Sequence, residues 1–315
     1  MYTTFFNLKE NPFNLTPDPR FLYLSPQHYD ALNHLIYGIN ERKGFIVVTG
    51  GIGTGKTTLC RALLTNMDPS IDTALLFNSS ISDVELLATI NQELGISTPH
   101  AATKKSYIDV LNTYLLKNFA AGRNTVLLID EAQNLSLNVL EQIRMLSNLE
   151  TEKEKLLQIV LIGQPELEDL LCSSSLRQLN ERITVRYEIG PLTDDQIQNY
   201  IVHRLHVAGD NNGSVRFLKD SFRTLYDYTE GIPRRINAIC DRALLIAYSK
   251  DVYNIDKHMI KQALHDIGGS YLSRRKVLTG RKQNGMLLFL IVALITALAL
   301  LVGLHWHDVI TLLQQ

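Results

Sequence analysis

The sequence predicts an α/β fold: a parallel sheet sandwiched by helices, a small all-helical lid after it, and one transmembrane helix near the C-terminal end. Three observations predict it. Between residues 45 and 189, short apolar runs that fit buried strands alternate with amphipathic stretches at helical spacing. One of those runs leads into a glycine-rich loop, Gly50-Gly51-Ile52-Gly53-Thr54-Gly55-Lys56-Thr57, which opens a helix. From Leu192 the strand-like runs stop, and Met286 to Leu304 (MLLFLIVALITALALLVGL) gives nineteen residues without a charge, long enough to cross a bilayer as a helix.

The loop matches G-x-x-x-x-G-K-[ST] without a mismatch, the pattern that binds nucleotide phosphates. Its glycines let backbone N–H groups turn inward where side chains would obstruct a phosphate. Lys56 is placed to reach the β- and γ-phosphates, and the Thr57 hydroxyl to ligate Mg²⁺. Gly50 to Thr57, with Thr58 behind them, are the expected nucleotide-binding residues. Phe45-Ile46-Val47-Val48 reads as the strand before the loop. Leu59, Ala62, Leu63 and Met67 give the helix after it.

Charge is nearly balanced, with 31 basic and 32 acidic side chains and a net charge of −1, which argues against a global field for nucleic acid. Cys60, Cys172 and Cys240 stand in no metal-ligand spacing and read as three buried thiols in a reducing compartment. Met1 to Phe6 lacks the basic and apolar regions of a signal peptide. Arg274, Arg275, Lys276, Arg281 and Lys282 precede the apolar stretch and no Lys or Arg follows it. The positive-inside rule then keeps the N-terminal bulk in the cytoplasm. The same basic cluster could equally lie on anionic lipid head groups.

Taken in order, residues 1–30 form an aromatic, proline-rich lead-in expected to pack over the nucleotide domain. Ser25-Pro26 reads as an N-cap and a proline at N1, starting a helix through Leu32, Leu35, Ile36 and Ile39. Thr73 to Phe77 is a second strand, and Asp83 to Leu94 and Tyr107 to Phe119 are helices. Thr125 to Ile129 is an apolar strand ending in Asp130-Glu131. Asp130 at a strand end can hold Mg²⁺ through water, and Glu131 can orient and deprotonate an attacking water. Leu137 to Leu149 is a helix and Leu156 to Ile162 a strand, followed by Gln164. That side chain is either a γ-phosphate sensor or a loop glutamine bonded to backbone. Val185 to Ile189 is the last strand of residues 31–191, the nucleotide domain.

Residues 192–267 read as helices only. The first opens on the capping box Thr193-Asp194-Asp195-Gln196. Phe217 to Tyr228, Arg234 to Ser249 and Asp256 to Ile267 follow, with a turn at Asp210-Asn211-Asn212-Gly213. Arg234 and Arg235 sit at a helix start, where the dipole prefers anions; they serve a phosphate or form a solvated basic turn. Residues 268–285 are a basic linker, 286–304 the span and 305–315 a short tail.

LLIDEAQNL (Leu127 to Leu135), IGQPEL (Ile162 to Leu167), LRQLNERI (Leu176 to Ile183) and GIPRRIN (Gly231 to Asn237) follow the loop in order, after an NPFNLTPDPRFLYLSPQH opening. This resembles the secretion ATPase family of general secretion pathway protein A, with its relatives in mannose-sensitive haemagglutinin pilus biogenesis and exosortase loci. The resemblance covers nearly all of residues 1–267. It implies an AAA+ module that binds ATP and Mg²⁺ and hydrolyses ATP as a homo-oligomer, in a ring. It also implies that Arg182 or Arg177 is an arginine finger reaching a neighbour's γ-phosphate, and that Arg234 is a sensor in the lid. The expected protein is a single-pass, inner-membrane ATPase that drives or regulates assembly of an envelope machine for type II secretion, type IV pili or surface polysaccharide. Its partners are then membrane-embedded or periplasmic assembly proteins, and nucleic acid is not among them. Members devoted to secretin assembly carry a peptidoglycan-binding region beyond the membrane helix; here eleven residues follow Leu304, so either a partner is expected to supply it or the role lies elsewhere in pilus, export or surface-polysaccharide assembly. Two alternatives use the same motifs: an ATP-dependent DNA-binding adaptor of the transposition-helper type, and a slow nucleotide switch that recruits partners.

Overall fold

The apolar strand residues alternate in direction, and that alternation gives the sheet two buried faces. The computed structural model describes residues 1–16, 18–77, 81–98, 103–152, 154–210 and 213–268. Its elements begin with α1 (Tyr2–Phe5), α2 (Pro26–Asn40), β1 (Phe45–Gly50), α3 (Lys56–Asn66), β2 (Ile71–Leu76), α4 (Asp83–Glu93), α5 (Lys104–Ala120) and β3 (Asn124–Ile129). After these come α6 (Leu137–Leu146), β4 (Gln158–Gly163), α7 (Glu166–Leu171), α8 (Arg177–Asn180) and β5 (Ile183–Ile189). The five strands pair in parallel in the order β2-β3-β4-β1-β5. Phe45, Val47, Leu127, Ile129, Ile159 and Leu161 meet α4, α5 and α6 on one face. Ile46, Val48, Val126, Leu128, Val160 and Ile162 meet α2 and α3 on the other.

Element starts follow local hydrogen bonding. Ser25 caps α2 with Pro26 behind it. Ser82 and Glu85 cap α4 reciprocally, each side chain bonding the other's backbone N–H. Thr103 caps α5, accepting the Ser106 N–H at 3.3 Å, so that helix starts three residues before the expected Tyr107. The second strand is Ile71–Leu76, displaced toward the N-terminus from the expected Thr73–Phe77. Leu156 and Leu157 are buried, but the fourth strand begins only at Gln158. Helix α6 stops at Leu146, short of Leu149.

After the sheet come α9 (Asp194–Val207), β6 (Arg216–Phe217), α10 (Lys219–Thr229), α11 (Pro233–Ser249), β7 (Asn254–Ile255) and α12 (Lys257–Gly268). The helix-only expectation for this region is wrong in one respect. Arg216 and Phe217 pair in parallel with Asn254 and Ile255, so Phe217 belongs to a strand and α10 starts two residues later. A two-residue ladder leaves no periodic signal in the sequence. Met1–Ile260 form one compact unit; of the rest, Lys261–Gly268 complete α12.

The lead-in also departs from expectation. It lies chiefly on the lid: Lys9 N–H donates to Ala208 O at 2.8 Å, and the Tyr2 hydroxyl and Asn11 amide both donate to Asp241. The Phe5 ring stacks on Tyr253 at 4.7 Å and Phe13 meets Phe217 edge-on. Aromatic residues go where aromatic partners are, and the lid supplies them. The turn at Pro19–Phe21 also touches α3. Cys60 and Cys240 are buried as expected, whereas Cys172 is exposed because Leu171 takes the inward position at the end of α7.

The span predicted at Met286–Leu304, its basic linker after Gly268 and the tail lie outside the described residues, as do Asn211 and Asn212. Among the described residues no helix is long and apolar enough to cross a membrane.

Gly231 fixes where the lid joins the sheet domain. Its φ is +74°, and a Cβ there would stand 1.8 Å from Leu192 O. Leu192 N–H donates to Gly231 O at 2.9 Å, so the two backbones touch directly. Gly231→Ala is expected to lose at least about 2 kcal/mol, combining left-handed strain with a backbone clash. Urea denaturation checks it, and an unchanged midpoint would contradict this packing.

Candidate nucleotide site

The strand order explains why the motifs converge. Strand β4 lies between β1 and β3, so Gln164 emerges between the glycine-rich loop after β1 and the acid pair after β3. The loop, Glu131, Gln164 and Arg234 line one cleft of about 360 Å³, within the range of small-molecule sites. The loop runs into α3, so its N–H groups stand at a helix N-terminus, favourable to an anion.

Lys56 is buried, and its Nζ donates to Gly50 O at 2.8 Å and Gly51 O at 3.0 Å. Burial pulls its pKa down, against the opposing pull of Glu131, Asp130 and Glu166. Thr57 Oγ1 donates to Asp130 Oδ2 at 2.7 Å. That pair of oxygen ligands fits Mg²⁺, which takes one or two protein oxygens and leaves the rest to phosphate and water. Ile52, Thr54 and Thr58 also line the cleft.

Glu131 is held by two amides. Gln133 Nε2 donates to its Oε2 at 2.6 Å, and Gln164 Nε2 donates to the same oxygen at 3.1 Å. Gln133 Oε1 in turn accepts the Gln164 N–H at 3.0 Å. Burial alone would raise the carboxyl's pKa, but the two amides and the Lys56 charge bring it below the ordinary value. Glu131 is therefore ionised at neutral pH. Its backbone sits in the left-handed region (φ 53°, ψ 38°), a strained conformation for a non-glycine residue of the kind that clusters at functional sites.

Of the candidate arginines, Arg234 reaches this cleft. Its backbone N–H donates to Gly53 O at 3.2 Å, and a Cβ on Gly53 would stand 2.6 Å from the Arg234 Cβ. Only glycine permits that approach of lid to loop. Arg235, its neighbour, pairs with Glu230 at 3.0 Å instead. Arg182 and Arg177 are absent from the cleft lining. Arg182 donates to Ser147 Oγ, and Arg177 pairs with Glu181 at 3.0 Å on an exposed turn.

Three contributors escaped sequence reasoning. Gln133 lies two residues past Glu131 in the quoted LLIDEAQNL stretch, and its place beside the acid was the available signal. His28 is buried under the loop: its Nε2 lies 3.0 Å from Thr54 O and its Nδ1 2.7 Å from Ser25 Oγ. A carbonyl only accepts, so Nε2 carries the proton and Nδ1 accepts from the Ser25 hydroxyl. Burial lowers this imidazole's pKa, in keeping with the neutral form. The third contributor is the lead-in itself, whose Asn14 to Thr16 and Phe21 to Tyr23 line the same cleft.

Comparison with known proteins agrees with this geometry. Residues 39–171 match the family described as AAA domain. The chain is 42% identical over 297 residues to general secretion pathway protein A of Aeromonas hydrophila, covering 94% of this chain and 53% of that protein. It thus spans about half the length of that relative. Among solved structures, Cdc6p of Pyrobaculum aerophilum superposes with a TM-score of 0.61 at 19% identity, over 79% of this chain and 71% of that one. The ORC1 protein of Aeropyrum pernix in complex with DNA gives 0.60 at 16% identity, over 82% and 69%. At those identities the likeness is one of fold. With the AAA domain and a match along nearly its whole length, the chain belongs to the AAA+ family that includes general secretion pathway protein A.

Proposed function

We propose that this protein is a Mg²⁺-dependent ATPase that acts as a homo-oligomer at the inner membrane, where it drives or regulates assembly of an envelope machine. The observation that carries the reading is the ionised Glu131, set by two glutamines in the same cleft as Lys56 and the Thr57–Asp130 pair. In this reading the loop N–H groups and Lys56 hold the phosphates. Lys56 exchanges the carbonyls of Gly50 and Gly51 for phosphate oxygens. Glu131 orients a water for in-line attack and accepts its proton, and Gln164 senses the γ-phosphate. Thr57 and Asp130 would hold Mg²⁺, which supplies charge neutralisation to the phosphates when bound.

Arg182 and Arg177 do not line the chain's own cleft, which suits a role toward a neighbouring subunit. Arg182, just before β5, is the first choice. The membrane tether rests on the apolar stretch Met286–Leu304 and its basic flank. Work on an envelope machine rests on the similarity to general secretion pathway protein A.

ATP turnover per chain is expected to rise with protein concentration. Arg182→Ala should slow it by about 10³-fold or more, the scale of a lost arginine finger, while ATP binding persists. Mixing Arg182→Ala with Glu131→Gln should restore part of the activity, because mixed neighbours rebuild a complete site. Turnover per chain that stays constant on dilution, with no rescue on mixing, would refute the shared site.

A further inference from the structure

Arg204 on α9 is 8% exposed, and it makes no ion pair among the described residues. Its guanidinium bonds neutral groups. Nε donates to Pro12 O at 2.6 Å, Nη2 to Asn14 O at 3.2 Å and Nη1 to the Tyr200 hydroxyl at 3.2 Å. The Tyr200 hydroxyl donates onward to Asn237 Oδ1 at 2.7 Å. The guanidinium carbon also lies 4.8 Å from the centre of the Phe21 ring. Arg204, Tyr200 and Asn237 all line the cleft, as do Asn14 and Phe21, which Arg204 holds.

We infer that Arg204 is a positioning residue that fastens the N-terminal strap to the lid, so that Asn14 to Thr16 wall the end of the cleft that receives the nucleoside. The inference rests on the nucleotide reading above. The glycine-rich loop, Glu131 and Gln164 take the phosphate end, which leaves the strap and the lid network for the rest of the ligand.

The buried Arg204 charge has no hydrogen-bonded carboxylate among the described residues, although the strap's Asp18 feels its field. Such a cation carries a desolvation penalty that dipoles and ring faces must largely offset. Here the strap supplies two carbonyls and one ring. If the strap lifted away, two donors of a buried guanidinium would lose their acceptors, so docking and charge burial are linked. The two carbonyls belong to residues two apart in the chain, and a planar fork reaches both at once. A lysine ammonium is a single point of charge and cannot hold the pair in the same geometry.

The test compares two ligands by calorimetry on the full chain: ADP, which on the nucleotide reading spans both ends of the cleft, and inorganic tripolyphosphate, which needs only the phosphate end. Arg204→Met should weaken ADP by about tenfold or more, equivalent to ~1.4 kcal/mol, and leave tripolyphosphate within about twofold of the native chain. Arg204→Lys should fall between, because it keeps the charge and loses the fork. Trypsin should also cut after Lys9 and Arg20 faster in Arg204→Met, and ADP should slow that cleavage in the native chain. Equal losses for both ligands would make Arg204 a general structural or electrostatic residue and overturn the inference, as would native ADP affinity in Arg204→Met. If Arg204→Met does not fold, Arg204→Lys and Phe21→Leu decide the matter: both must weaken ADP more than tripolyphosphate. A native chain that binds neither ligand refutes the nucleotide reading itself, before any variant is compared.

Discussion

Glu131→Gln is expected to bind ATP as tightly as the native chain and to turn it over about 10²–10⁴-fold more slowly, the usual contribution of a positioned general base. The substitution isolates one property. An amide oxygen still accepts from Gln133 and Gln164, so the side chain keeps the place that their 2.6 Å and 3.1 Å bonds now give it. What it loses is negative charge and the capacity to take a proton. The charge matters because the low pKa of Glu131 arises partly from the two amides and the Lys56 ammonium nearby, which hold the carboxylate ready to orient water at neutral pH. Nucleotide affinity should not fall, since removing an anion from a phosphate cleft removes repulsion. Titration with a fluorescent ATP analogue and single-turnover hydrolysis separate the two effects. Hydrolysis within about threefold of native would exclude Glu131 as the base, given the size of a base's contribution.

What could be read in the sequence follows from how local each signal is. The three inner strands declared themselves because they are buried on both faces, and runs such as Phe45 to Val48 and Val126 to Ile129 are apolar throughout, whereas the edge strands β2 and β5 are only partly buried. The loop and the acid pair are contiguous motifs, and the structure brings Lys56, Thr57, Asp130, Glu131 and Gln164 into one region. The strap was legible only as an aromatic segment in need of a partner. Its partner, the lid, lies far along the chain: Tyr2 and Asn11 meet Asp241, and Pro12 meets Arg204. No spacing rule links residues so far apart. His28 was hidden for another reason. It sits in the first turn of α2, where Ser25 and Pro26 already explain the local pattern, and its contact with Thr54 is tertiary. The β6–β7 ladder was too short to have a period at all. Arg182 and Arg177 belong to a different class: they lie outside the cleft lining, and the proposed role toward a second subunit would leave no mark in the geometry of one chain.

Lys56→Ala is expected to abolish useful nucleotide binding while leaving the fold intact. The ammonium is buried and, among the described residues, hydrogen-bonded to the carbonyls of Gly50 and Gly51. Burial lowers its pKa, so folding penalises the charged form despite the nearby carboxylates. Alanine removes a buried cation whose desolvation outweighs its attraction to those carboxylates. The ligand-free variant should therefore melt at or slightly above the native temperature. Binding goes the other way. Truncating one partner of a buried, hydrogen-bonded charge pair costs about 2–5 kcal/mol, or roughly thirtyfold to several thousandfold in affinity. Native protein at a hundredfold excess of ATP over its Kd gains about 2.7 kcal/mol of stability by mass action, and Lys56→Ala should gain less than about 0.9 kcal/mol at the same concentration. Thermal melts with and without Mg²⁺-ATP read both predictions from one pair of curves. A ligand-free melt far below native would make Lys56 structural, whereas a full ATP-induced rise would mean that the phosphates sit elsewhere in the cleft.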